Sequence, residues 1–286
     1  RIKDIATGEM LSDVIPDVLS ALVWTKDDKA LVYAPANAQW RTDRAMLHRL
    51  GTDASEDIEL YHEDDEGFRV SVGLTSAENY IVLATGDHVT GEVRLVPAGD
   101  PTAPAILVSA RVDEREYDVD EHEGWLYIRT NDTHSNFRLA RARIETPDQW
   151  EEVLPASDAF YLTDVSLFKS FYVTEGRENG LDQVEIRDYA TNTPKRLSFP
   201  EASYVAGLDD NAEYDVTKLR LSYESMVSPE TIFDYTLADE HREILKVQEI
   251  PSGFDPSRYA TSRLLIPARD GTPIPVSVLH RRDFPM

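Results

Sequence analysis

A chain of 286 residues, 41% of them hydrophobic, can bury one large all-β core or two ordinary ones, and no run approaches the 18 apolar residues of a membrane-crossing helix. Fifty-three Asp and Glu against 29 Lys and Arg give a formal charge of −24, which repels phosphate backbones and anionic lipid, so neither nucleic acid nor a membrane is an expected partner and cationic ligands are favoured. The absence of cysteine removes disulfide and thiolate chemistry, and the first twenty residues lack the basic start and apolar run of a signal peptide, which together predict a cytoplasmic protein.

In chain order, Arg1 to Ile15 reads as two strands joined by a turn at Thr7-Gly8, the third and fourth strands of a repeat unit. A full unit follows: Ser20 to Trp24, Ala30 to Ala34, Ala45 to Leu50 and Asp57 to His62. The second comprises Phe68 to Leu74, Tyr80 to Thr85, Glu92 to Pro97 and Ala105 to Ala110. The third is Glu114 to Val119, Trp125 to Thr130, Phe137 to Ile144 and Trp150 to Leu154. The fourth is Phe160 to Leu167, Ser170 to Gly176, Asp182 to Tyr189 and Lys195 to Phe199. The fifth is Ser203 to Leu208, Lys218 to Ser225, Thr231 to Leu237 and Glu243 to Val247. The units start 48, 46, 46 and 43 residues apart, within the range of about 40 to 50 residues for a four-stranded propeller blade.

The expected fold class is therefore all-β, a β-propeller of four-stranded antiparallel blades, with about five complete blades and part of another. A ring abolishes sheet edges by closing on itself, so an incomplete set leaves an edge that invites dimerisation. Residues 1–250 form the propeller in this reading. Residues 251–286 are a linker followed by two strands around Asp270-Gly271, where a further domain begins, and the start at Arg1 and the end at Pro285-Met286 look cut from something longer.

The run from Leu219 to Arg282 resembles the junction between the last blade and the hydrolase domain in the prolyl oligopeptidase family of serine peptidases. The match is carried by Ser222, Tyr223, Ser225, Ser228, Pro229 and Phe233, then by Arg269-Asp270-Gly271, Pro275, Val276 and Ser277. "GEVRLVPA" (Gly91 to Ala98), "YDVDEHEGWLYIRTN" (Tyr117 to Asn131) and "NFRLARARI" (Asn136 to Ile144) resemble the oligopeptidase B, or protease II, branch. This resemblance implies a seven-bladed parent propeller that caps an α/β-hydrolase domain and excludes folded proteins. It also implies a Ser/Asp/His triad, cleavage of short peptides after Arg or Lys, and no cofactor. No triad residue can be placed here, and none of the 13 glycines belongs to the G-x-S-x-G of a nucleophile elbow, so the chain alone is expected to be inactive. The alternative function is a non-enzymatic scaffold that binds a protein partner on its rim.

The candidate site rests on charge. Glu114, Glu116 and Asp118 recur every second residue, so on one strand they share a face, and an innermost strand would turn that face into a central tunnel where it attracts short basic peptides. The structural alternative is a cluster neutralised by Arg111, Arg115 or a neighbouring blade. The seven histidines show no H-E-x-x-H and read as scattered surface residues, so no metal is expected. Asp118 to Gly124 and His62 to Gly67 read as acidic connections rather than calcium loops, because glycine and glutamate miss the required offsets. Trp24, Tyr33, Trp125, Tyr127, Phe160 and Phe171 are expected to pack between blades, and Trp40 to lie on the surface.

Overall fold

The computed structural model describes residues 1–284; Pro285-Met286 lie outside them. The chain divides into two compact units, Arg1–Pro155 and Ala156–Met286. Among the described residues no helix is long and apolar enough to cross a membrane.

The first unit holds three sheets. The first is β1 (Val18–Trp24), β2 (Ala30–Pro35), β3 (Arg44–Arg49) and β4 (Ile58–His62), paired in that order. The second is β5 (Arg69–Leu74), β6 (Tyr80–Gly86), β7 (Gly91–Pro97) and β8 (Ile106–Leu107), and the third is β9 (Tyr117–His122), β10 (Trp125–Thr130), β11 (Arg138–Arg143) and β12 (Thr146–Leu154). The second unit repeats the plan with β13 (Phe160–Leu167), β14 (Tyr172–Glu178), β15 (Leu181–Arg187) and β16 (Pro194–Arg196), then β17 (Tyr204–Leu208), β18 (Lys218–Ser225), β19 (Thr231–Thr236) and β20 (Arg242–Val247). A two-stranded hairpin follows, β21 (Tyr259–Pro267) and β22 (Pro273–Arg281). All pairings are antiparallel between chain neighbours, which is the meander of a propeller blade.

Alternation along the strands supplies the faces that pack. Val32, Leu47, Ile81 and Leu83, all at most 1% exposed, join the first sheet to the second. Leu95, Leu126, Ile128 and Ala140 join the second to the third, and Val173, Val184, Leu219 and Leu221 join the two sheets of the second unit. Each of these valine, leucine and isoleucine side chains contributes about 1.5–3 kcal/mol through burial.

Turn chemistry fixes register. Glu123 and Gly124 (φ 50° and 78°) close β9–β10, and Asn179 and Gly180 (φ 51° and 69°) close β14–β15, both two-residue turns with left-handed backbone at each position. The stretch read as an acidic connection at Asp118 to Gly124 is thus a strand and its turn. Gly176 has a separate role: a Cβ there would lie 2.3 Å from the Phe160 ring and 2.6 Å from the Tyr161 carbonyl oxygen. Gly176→Ala is expected to destabilise the chain by about 2 kcal/mol through overpacking, read as a lower urea midpoint at unchanged slope.

Several strand limits differ from expectation. The third sheet's first strand begins at Tyr117, not Glu114, because Glu114 adopts left-handed backbone (φ 59°) and its N–H is held by Thr90 Oγ1 at 3.0 Å. Its last strand reaches back to Thr146 through Pro147, which an outer strand tolerates because one edge needs no donors. Arg1 to Ile15 folds back on itself, with Lys3 paired to Met10, but forms an isolated bridge rather than two strands. Trp24 on β1 is 38% exposed instead of packed, whereas Tyr33, Tyr127 and Phe171 are buried; Trp40 is 77% exposed, on the surface as expected.

Candidate functional site: an acidic groove between first strands

In the first unit a groove of about 490 Å³ opens where β1, β5 and β9, the first strands of three successive sheets, approach one another. Leu19, Arg69, Ser71, Glu116 and Asp118 line it from these strands or their approaches, and Asp87 and Glu92 line it from the β6–β7 connection and β7. Carboxylates dominate its charged lining, with Arg69 the cation among them.

Hydrogen bonds hold the wall. The Tyr117 hydroxyl donates to the Ser109 carbonyl oxygen at 2.7 Å and accepts from the Val93 N–H at 2.9 Å, which ties β9 to β7, and burial pushes its phenol pKa up. Trp150 meets the same ring edge-on at 5.3 Å. Three residues further along β9, Asp120 accepts from the Ser76 N–H at 2.7 Å and the Ser76 hydroxyl at 2.5 Å, anchoring the strand to the β5–β6 turn; burial raises its carboxyl pKa. Asp87 accepts from the Val89 and Thr90 N–H groups at 2.8 and 2.7 Å, which hold its carboxyl below the usual range.

The three carboxylates singled out from the sequence separate in space. Glu116 and Asp118 line the groove. Glu114 sits on the exposed turn before the strand and is not part of the wall, so the shared strand face does not extend to it. Asp118 pairs with Arg129 at 2.6 Å, its carboxylate still 76% exposed, and Glu116 accepts from the Asn131 amide at 3.4 Å. Compensation therefore comes from Arg129 on the adjacent strand. Arg111 pairs instead with Glu63, and Arg115 donates to the Ser109 hydroxyl.

Asp87, Glu92 and Arg69 were not singled out from the sequence. For Asp87 a signal existed, since Asp followed by Thr three residues on is the pattern of an Asx turn. Glu92 offered none, because its position depends on the neighbouring sheet. Nor are the histidines all on the surface: His48 is fully buried and His122 is 7% exposed. Among the described residues no three His, Asp or Glu converge as a metal site.

Repeated four-stranded meanders packed on common clusters, with a groove along their first strands, define a propeller-type domain. The chain belongs to the prolyl oligopeptidase N-terminal β-propeller domain family, which it matches over residues 1–248. It is 32% identical to dipeptidyl aminopeptidase BI of Pseudoxanthomonas mexicana over 99% of this chain and 39% of that protein. It is 27% identical to protease 2 of Moraxella lacunata over 98% of this chain and 40% of that one. The structure of oligopeptidase B from Leishmania major superposes with a TM-score of 0.89 at 25% identity, covering 99% of this chain and 42% of the other. The chain thus spans about two fifths of the length of these relatives.

Proposed function

We propose that this chain is the substrate-gating propeller of an oligopeptidase B-like serine endopeptidase that cleaves short peptides after Arg or Lys. Residues 251–286 link to and open a hydrolase domain, whose serine, aspartate and histidine perform the acyl chemistry, while the propeller admits short cationic peptides and keeps folded proteins out. The chain without that domain is inactive. A reducing, cytoplasmic setting accords with the lack of cysteine.

The observation that carries this reading is the groove itself. Its wall holds four carboxylates, Asp87, Glu92, Glu116 and Asp118, and one guanidinium, Arg69; Arg94 pairs with Glu92 and Arg129 with Asp118, which leaves Asp87 and Glu116 outside any ion pair among the described residues. Low-dielectric walls bearing one sign of charge concentrate ligands of the other sign. The hairpin rests on the sheets of the second unit, where Arg263 on β21 donates to the Asn179 carbonyl oxygen and Ser277 on β22 meets Ser203 at 2.5 Å.

The test uses the intact peptidase with Glu116→Gln and Asp118→Asn combined, and separately with Glu114→Gln. The double variant is expected to lower kcat/KM for a short Arg-containing peptide by about tenfold at low ionic strength through KM, with the difference shrinking as salt is added. Glu114→Gln should change little. Unaltered capture of the peptide by the double variant would remove the groove from the reading. Activity of the 286-residue chain on its own would remove the division of labour.

A further inference from the structure

We infer that Trp40, on the rim of the acidic groove, is a binding residue that stacks on the guanidinium of an entering peptide. This rests on the groove's reading as a site for short basic peptides and deepens it by adding an aromatic contact outside the carboxylate wall. The loop at 36–42, between β2 and β3, stands on that rim. Ala36 bridges to Thr42, Thr42 lines the groove, and the Thr42 carbonyl oxygen accepts from the Val70 N–H at 2.9 Å, which fixes the loop to β5. Trp40 lies two residues from Thr42, at most about 7 Å of backbone. The β6–β7 connection of the next sheet, whose Asp87 and Thr90 line the same groove, exposes Val89 at 47%.

The indole is held out by its loop rather than left over on a surface. Trp40 has left-handed backbone (φ 59°), an outlier for a bulky side chain that persists only where its surroundings impose it. Asn37 imposes it: its carbonyl oxygen accepts from the Trp40 N–H at 2.9 Å, its Oδ1 accepts from the Gln39 and Arg41 N–H groups at 2.9 and 3.1 Å, and its Nδ2 donates to Asp43 at 3.0 Å. The ring is also unlike two others in the chain. Arg141 and Arg143 lie over Trp125 at 4.2 and 3.7 Å, and Arg115 over Trp150 at 5.1 Å, whereas among the described residues no cation or second ring lies over Trp40, which is 77% exposed. Its open face stands on the rim of a wall in which Asp87 and Glu116 belong to no ion pair. A guanidinium suits both: it stacks flat on an aromatic face and offers a carboxylate its in-plane donors, while a lysine ammonium is compact and more strongly hydrated.

The experiment titrates the 286-residue chain at low ionic strength with tetrapeptides that differ only in carrying arginine, lysine or citrulline, following NMR shifts of the groove amides and the Trp40 indole. The arginine peptide is expected to bind about threefold more tightly than the lysine peptide and to shift the indole signal, and the planar but uncharged citrulline peptide not to saturate. Trp40→Gly should bring the two basic peptides to equal affinity, and Trp40→Phe should keep part of the difference. Glycine suits left-handed backbone, so Trp40→Gly should not lower the urea midpoint, which separates the contact from folding. Equal affinities in the parent, or a preference that Trp40→Gly leaves intact, would overturn the role of Trp40 and leave the groove standing. Failure of both basic peptides to bind would overturn the groove as well. Acrylamide quenching of Trp40 that is strong in this chain but absent in the intact peptidase without peptide would assign the indole to an interdomain contact instead.

Discussion

Replacing His48 by leucine lowers the unfolding free energy of the chain by about 3–5 kcal/mol, the largest loss expected of any single substitution considered for it. His48 lies on β3 with a side chain that is 0% exposed; its Nδ1 is 2.7 Å from Asp57 and its Nε2 is 3.1 Å from Asp13. One imidazole thus stands between two carboxylates, in contact with both through its two ring nitrogens. Asp57 also accepts from the Tyr33 hydroxyl at 2.8 Å, and Asp13 from the Gly51 N–H at 2.6 Å. Leucine fills the space but donates nothing, leaving two buried carboxylates facing each other without their common partner.

Urea unfolding at neutral pH measures the loss. A triple variant, His48→Leu with Asp13→Asn and Asp57→Asn, should recover much of it, because the penalty belongs to the stranded charges rather than to lost packing. A single variant within 1 kcal/mol of the parent would mean that water relieves the pair. The same contact holds Arg1 to Ile15 to the first sheet, so Gly51 amide exchange should accelerate in the single variant. The Gly51 N–H, followed by the His48 hydrogen bond, holds the Asp13 carboxyl below its ordinary value of 3.8. Its contribution is therefore fully present above that value and is lost as the pH falls through the lower folded one.

How much of this could be read from the sequence depended on the distance over which each feature is decided. The limits of β10, β13 and β18 fall where alternation and turn residues place them, because those signals sit inside a few consecutive residues. The strand at Tyr117 was phased three residues early. Glu114, Glu116 and Asp118 alternate as a strand would, but the Thr90 hydroxyl from the previous sheet captures the Glu114 N–H and turns the backbone there. The acidic groove was legible as charge on β9 and its approach, and illegible in its other half, which comes from β5 and β7. The Asp13–His48–Asp57 cluster left no local trace. Its members stand 35 and 9 residues apart, and each alone resembles a surface residue. Glu175 is a similar case, a carboxylate in the polar run "TEGREN" that is partly buried against the next sheet, where glycine at position 207 leaves it room.

At Glu175 that burial has a measurable consequence: the chain loses stability between about pH 4.5 and pH 7, and Glu175→Gln removes this loss. Glu175 on β14 accepts from the Leu208 N–H at 2.9 Å, while Asp182 on β15 accepts from the Ala206 N–H at 3.4 Å. These N–H groups lie along the first strand of the neighbouring sheet, so the carboxylates seal its free edge. The approach is close enough that a Cβ at Gly207 would lie 2.6 Å from a Glu175 carboxylate oxygen. Burial, with the nearby Asp164 and Asp182 charges, raises the Glu175 carboxyl from 4.5 to about 7 against the opposing Leu208 hydrogen bond. The folded chain thus keeps a proton that the unfolded chain has released. Its stabilisation is complete below 4.5 and gone once the pH has passed 7, a change of about 3 kcal/mol for a shift of this size. Glutamine retains an acceptor for Leu208 and does not titrate, so the difference in unfolding free energy between variant and parent should be flat in acid, rise in favour of the variant up to neutrality, and level off above it. Urea unfolding of both chains across that range measures the difference, and a pH-independent difference would mean that water reaches Glu175 and keeps it ionised throughout.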